Sequence, residues 1–264
     1  MRRPLLERHV HTMAAGVPVT WGIAVETPVE IGINSSPWAV MMATPADLED
    51  LAVGLALTER FIVDSQAIER VEVSNYLDGI AVDVIVPAAA VNNSARRRRS
   101  LEGRIGCGLC GVEALAGLPQ RPNGVVGPRI DIAESAVRSA FDALASLQPL
   151  NRATHSVHAA AWCHTDGEID LVREDVGRHN ALDKVIGALA RNQRLDQPGF
   201  IVMTSRCSFE LVYKAAATRA GVLATISAPT SLALEWSTLL GLPLLCLGPD
   251  RTIVGFTTDP SHAA

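Results

Sequence analysis

The sequence predicts an α/β protein: a layered α/β/α domain joined to a smaller N-terminal α+β domain. Three features carry that prediction. From Ile132 onward, apolar runs of strand length alternate with helical patterns, as in a sheet covered on both faces. The first third reads instead as two strands, a helix and two more strands. Between these regions, residues 87–130 have loop and linker composition. The expected division is 17–118 for the small domain, closing with a glycine-flanked cysteine loop expected to be mobile, and 119–264 for the larger one.

In chain order, Val29–Asn34 is a strand-like run, Ser35-Ser36-Pro37 a turn and Trp38–Met42 a second strand. Thr44 before Pro45 reads as a helix N-cap with proline at the first helical position and Asp47 two places on. Leu48, Leu51, Ala52 and Leu55 then recur at helical spacing. Val71–Val73 and Ile80–Val86 alternate about an Asp78-Gly79 turn. Beyond the linker, Ile132–Leu147 is a helix with Val137, Ala140, Phe141 and Leu144 on one face. Strands follow at Val157–Cys163 and Ile169–Arg173, then a helix at His179–Asn192. Phe200–Thr204, Val222–Ser227 and Leu244–Leu247 read as buried strands, separated by helices near Ser208–Ala220 and Thr230–Leu240. Trp21, Trp38, Trp162 and Trp236 are expected in the core.

Composition narrows the function. The chain is 48% hydrophobic and 19% charged, so it can bury a sizeable core and is not globally disordered. A net charge of -5 argues against a general nucleic-acid or acidic-membrane binder, and 4% aromatics are too few for base-stacking platforms. The apolar stretch between Glu235 and Asp250 is interrupted by Pro243 and is shorter than the ~18–20 residues of a spanning helix. Glu7 and His9 interrupt any apolar signal core. Five cysteines, two of them in Cys107-Gly-Leu-Cys110, fit a reducing compartment better than a disulfide framework. The expected location is the cytoplasm.

A thiol is a nucleophile only as thiolate, and a free cysteine has a pKa of ~8.5. Arg104 and the Arg96–Arg99 run can lower it, although those four arginines equally fit a solvated loop. Three chemistries compete for the cysteine pair. A dithiol oxidoreductase would set it between a strand and a helix of a βαβ unit, a frame absent here. A structural zinc site needs four ligands, for which His155, His158, Cys163 and His164 are candidates. A sulfur carrier would hold a persulfide on one cysteine, and spacing alone does not separate it from the other two. A zinc deaminase fails, because His158 is followed by two alanines and the cysteine pair precedes it.

Three polar strand-to-helix turns stand out: Glu174–Asn180, Thr204–Ser208 and Ser227–Ser231. In the first, Gly177 leaves backbone N–H groups open to an anion while Arg178 and His179 add donors; an ordinary helix start is the plainer alternative. Together the three can line one ligand edge. Cys163, Cys207 and Cys246 are flanked by apolar sequence and read as buried and inert. No P-loop motif GxxxxGK[ST] is present.

These residues carry a resemblance. Glu26-Thr-Pro-Val-Glu30, Met41–Pro45, Leu51–Glu59, Cys107-Gly-Leu-Cys110-Gly111, Glu174–Lys184, Thr204–Lys214 and Ser227–Ser231 together resemble the formate dehydrogenase accessory sulfurtransferases, from about Val19 to Phe256. The resemblance implies a sulfurtransferase that accepts persulfide sulfur from a cysteine desulfurase. It delivers that sulfur to the molybdenum bis-guanine-dinucleotide cofactor on which formate dehydrogenase depends. It implies Cys107 as carrier with Cys110 assisting, and cofactor contacts at Cys246, Leu247, Gly248, Pro249, Asp250 and Arg251. His158, His179 and Arg206 join that set, GDP mimics the cofactor, and no metal is permanently bound. A homodimer and a cytidine-deaminase-like main domain are also implied. The sequence departs from the family at Thr154-His155-Ser156, where glycines are usual, and in having Cys207 and Cys246. A zinc-stabilised or non-catalytic cofactor-binding chaperone is the alternative.

Overall fold

The computed structural model describes residues 3–13, 16–92 and 130–256. Cys107, Cys110 and Arg96–Arg99 lie outside them. The described chain builds a four-stranded and a six-stranded sheet with a pair of packed helices between them, and a separate two-stranded hairpin.

In the N-terminal layer, β3 (Thr27–Ile33) and β4 (Ser36–Ala43) form a hairpin. Asn34 and Ser35 have φ of 51° and 61°, the doubly left-handed turn that matches strand twist. Helix α1 (Leu48–Thr58) follows, then β5 (Arg70–Asn75) and β6 (Ile80–Ile85), giving the order β4-β3-β6-β5. Val29, Ile31, Ile33, Val82 and Val84 alternate inward and pack with Leu51, Leu55 and Phe61. The expected strand-strand-helix-strand-strand order is present.

The C-terminal layer holds α2 (Glu134–Leu144), the short α3 (Pro149–Thr154), β7 (His158–Cys163) and β8 (Ile169–Asp175). Then come α4 (Arg178–Arg191), β9 (Gly199–Met203), α5 (Phe209–Ala215), β10 (Ala220–Thr225), α6 (Ser231–Leu240), β11 (Leu244–Leu247) and β12 (Ile253–Phe256). The sheet order is β12-β11-β10-β9-β7-β8, with β9, β10 and β11 parallel. One face is covered by α4, α5 and α6 through Leu182, Ile186, Leu211, Val212 and Trp236. The other is covered by α2 through Val137, Phe141 and Leu144 against Phe200 and Val202. Covering on both faces explains why β9 is apolar throughout and β10 up to its final Thr225.

The layers meet where α1 lies on α4. Both helices are buried almost all round, as such a position demands. A Cβ on Gly54 would sit 1.8 Å from the Asp183 carbonyl oxygen, and one on Gly187 1.8 Å from that of Asp50. Only glycine permits so close an approach.

Several sequence expectations need correction. Thr44 does not cap α1: the helix begins at Leu48, with Asp47 at φ 52° as the flanking residue and no side-chain cap. The Thr44 hydroxyl is used elsewhere, accepting from the Val176 N–H at 3.1 Å. Helix α5 stops at Ala215 rather than Ala220, because Ala217 and Thr218 turn back onto Lys214 and Ala215 to start β10. Trp21 is exposed rather than in the core, its ring 5.7 Å from that of His155. It belongs to a hairpin that the sequence reading does not foresee, β1 (Leu5–His11) with β2 (Pro18–Ala24). Helix α3 and strand β12 are likewise additions to the expected elements. Trp38, Trp162 and Trp236 are buried as expected.

Candidate functional site

Strand directions bring the polar turns together. Because β7 runs antiparallel to both β8 and β9, His158 stands opposite Asp175 at the edge where β9, β10 and β11 end. The Thr204 N–H donates to Ala159 O at 3.0 Å, and the Ala159 N–H donates to Thr204 Oγ1 at 2.8 Å. Beyond the strands, Cys207 bridges to Pro229, and the Thr230 N–H donates to Cys207 O at 3.0 Å. The turns after β8, β9 and β10 therefore share one edge, as their composition suggests. Ligands of α/β sheets collect at such carboxyl ends.

The Glu174–Lys184 stretch supplies that edge and also anchors it. Asp175 is fully buried, with Lys184 Nζ at 2.6 Å. Its carboxylate accepts from the Gly177 N–H, Asn180 Nδ2 and the Thr44 N–H at 2.8–3.0 Å. Lys184 Nζ donates onward to the Thr44 and Glu174 carbonyls, and Asn180 Nδ2 to Met42 O. A buried ion pair survives only with such full hydrogen bonding. One turn further along α4, Asp183 accepts from Lys214 Nζ at 2.7 Å and from Thr58 Oγ1 at 2.8 Å. Burial pushes the Asp183 carboxyl up, and Lys214 opposes that shift. At the rim, Arg173 and Arg191 both grip Asp50 of α1. These contacts pin the N-terminal layer to α4.

The expected ligand residues divide by position. His158 is half-buried on the edge; burial first, then the charge of Arg178, lowers its pKa and keeps the ring neutral at neutral pH. His179 is buried, its Nε2 4.0 Å from Glu210 Oε2 at the start of α5. Arg206 is exposed on the turn after β9. Leu247 ends β11, and Gly248–Arg251 turn the chain into β12, Asp250 and Arg251 both left-handed at φ 55° and 58°. The Arg251 guanidinium pairs with Asp142 of α2, on the sheet face away from α4 and α5. His158 and His179 thus lie toward the α4–α5 side of the edge, Arg206 stands on the turn after β9, and Arg251 leans to the other face.

The three described cysteines are buried. Burial pushes the Cys163 and Cys207 thiols up to about 12, and raises that of Cys246 as well. None is a thiolate near neutral pH, so the described edge can hold a ligand but supplies no sulfur nucleophile. Among the described residues no group of three His, Cys, Asp or Glu side chains could hold a metal. His158 and Cys163, both zinc candidates by sequence, lie at opposite ends of β7.

Sequence reasoning misses the pairing of Lys184 with Asp175 and of Lys214 with Asp183. The available signal is charge at positions of α4 and α5 whose neighbours are largely apolar.

Residues 24–260 match the model of the FdhD/NarQ family. The sulfur carrier protein FdhD of Xanthomonas axonopodis pv. citri (strain 306) is 44% identical over 235 residues, 89% of this chain and 83% of that protein. The protein of the same name from Variovorax paradoxus (strain S110) is 47% identical over 226 residues, 84% of this chain and 80% of that one. A crystal structure described as that of a formate dehydrogenase accessory protein, from Desulfotalea psychrophila, matches 97% of both chains. Its TM-score is 0.69 at 21% identity, a likeness of fold.

Proposed function

The chain belongs to the FdhD/NarQ family, and from that premise we propose that it is a sulfur carrier serving the maturation of formate dehydrogenase. The observation that carries this reading is the match over residues 24–260, which takes in Cys107-Gly-Leu-Cys110 together with every element of the polar edge.

In finer detail, the Cys107 thiolate attacks the terminal sulfur of a persulfide on a cysteine desulfurase. The bond between the two donor sulfurs breaks, the donor leaves as a thiolate, and Cys107 holds the persulfide. That sulfur is at the zero oxidation level and must gain two electrons to leave as sulfide. Attack by the Cys110 thiolate on the Cys107 sulfur supplies them: hydrosulfide departs and a Cys107–Cys110 disulfide remains for a cellular dithiol to reduce. The acceptor is the molybdenum bis-guanine-dinucleotide cofactor, a substrate here, with its diphosphates and guanines at the strand edge. One feature supports the edge as its place: Arg178 and Arg206 stand there with no carboxylate partner among the described residues. The inertness of the three buried thiols leaves the sulfur chemistry to the cysteine pair.

The test is intact-mass analysis after incubation with a cysteine desulfurase and cysteine. Wild type should gain ~32 Da per sulfur, lost on adding dithiothreitol, and Cys107→Ala should gain none. A wild type that never gains the increment would refute the carrier role.

A further inference from the structure

Among the described residues, partly or fully buried cations are paired, with one departure. Arg138 pairs with Glu134, Arg173 with Asp50, Lys184 with Asp175, Arg194 with Asp170 and Lys214 with Asp183. Arg178 is half-buried, yet no carboxylate among the described residues lies within ion-pair distance, and its Nε is buried without a hydrogen-bond partner. A desolvated guanidinium without a counter-charge is costly, and such a group in a native edge asks for an explanation.

Its surroundings indicate one. Arg178 opens α4, where no side chain caps the first turn and no acidic residue occupies it. The nearest carboxylate in sequence, Asp175, is already committed to Lys184, Asn180, Gly177 and Thr44. The lowered pKa of His158 registers the Arg178 charge at the strand edge itself. On the neighbouring turn, Ser208 is only 9% exposed, and its Oγ also lacks a partner. Ser208 stands two residues before Glu210, which reaches to 4.0 Å from His179. Two orphaned polar groups therefore flank the α4–α5 side of the edge, one of them a cation.

We propose that Arg178 is the principal phosphate-binding residue of this edge, its guanidinium gripping a phosphate of the bound nucleotide while the Ser208 hydroxyl donates to the same group. A guanidinium suits the task because its planar fork meets two phosphate oxygens at once. The inference rests on the nucleotide-binding reading above and deepens it by assigning the phosphate contact.

The test uses the full chain and three probes: GDP, inorganic pyrophosphate and guanosine. Arg178→Gln should weaken GDP and pyrophosphate binding about tenfold or more by calorimetry, the usual loss for a charge-assisted contact, and leave guanosine unchanged. Arg178→Lys should recover part of the loss. Ser208→Ala should weaken GDP by a few-fold. The melting temperature of unliganded Arg178→Gln should equal or exceed that of wild type, because an unpaired cation has been removed.

Wild-type GDP affinity in Arg178→Gln would overturn the assignment and leave the nucleotide reading standing. A melting temperature well below wild type would also overturn it, since the guanidinium would then be serving the fold. If wild type binds pyrophosphate through Arg178 but shows no preference for GDP, the anion site holds and the nucleotide reading falls. If wild type binds neither, both fall.

Discussion

Along the Glu174–Lys184 stretch and the end of β7 beside it, two sets of side chains face two environments. Asp175, Asn180, Asp183 and Lys184 turn toward the N-terminal layer, where each finds protein partners and none sees much solvent. Arg178 and His158 lie at the strand edge, where the guanidinium has no counter-charge among the described residues and the imidazole stays neutral beside it. A compact run of polar residues in the sequence is thus two devices. One closes the fold and the other leaves a charge without a counter-charge among the described residues. The distinction lies in satisfaction of polar groups, because both sets are polar or charged.

Breaking the closed device should have the largest effect. Lys184→Met leaves Asp175 buried at 0% exposure with its charge partner gone. The expected loss is about 3–5 kcal/mol of unfolding free energy, read by urea denaturation. Adding Asp175→Asn should recover much of it, since the unpaired charge is then removed as well. A loss below about 1 kcal/mol in the single variant would mean that the pair is not what holds the layers together.

A steric test of the same contact comes next. In Gly187→Ala the new methyl meets the Asp50 carbonyl oxygen at 1.8 Å, a backbone atom that cannot swing aside. Separation of α1 from α4 should cost about 1–3 kcal/mol. In Gly177→Ala, at the open edge, the nearest atom is Asn180 Nδ2 at 3.0 Å and the backbone has φ of -105°, so the cost should be well under that. Equal losses in the two variants would erase the contrast between closed contact and open edge.

Much of this arrangement is legible in the amino-acid sequence. Leu48, Leu51, Ala52 and Leu55 announce α1 by their period, and the apolar runs of β9, β10 and β11 announce a sheet covered on both faces, because periodicity reports burial directly. The three polar turns are recognisable by composition, and strand direction then places them on one edge. What stays illegible depends on partners distant in sequence. Thr44 has the local features of a cap, but Val176 and Asp175, far along the chain, claim its hydroxyl and its N–H. Trp21 is apolar by type yet sits on a two-stranded hairpin too thin to enclose it. Lys184 and Lys214 look like surface residues until the helices that carry them are seen to be covered.

The smallest effect is the most direct probe of the open edge. The pKa of His158 lies below its ordinary value in the folded chain, through burial first and the charge of Arg178 second. In the unfolded chain it reverts to about 6.5, so the unfolded state binds the extra proton first as pH falls. This residue should therefore leave stability unaffected above about pH 6.5 and erode it from there down to the folded-state pKa. His158→Gln should flatten that part of the pH–stability curve. An NMR titration of the His158 ring separates the two causes: Arg178→Gln should raise its pKa by removing the charge, whereas burial remains. A bound pyrophosphate should raise it in wild type for the same reason, by neutralising the guanidinium. If pyrophosphate left the His158 titration unmoved while Arg178→Gln shifted it, the anion would be sitting away from Arg178. The edge would then hold an unpaired cation for some purpose other than phosphate.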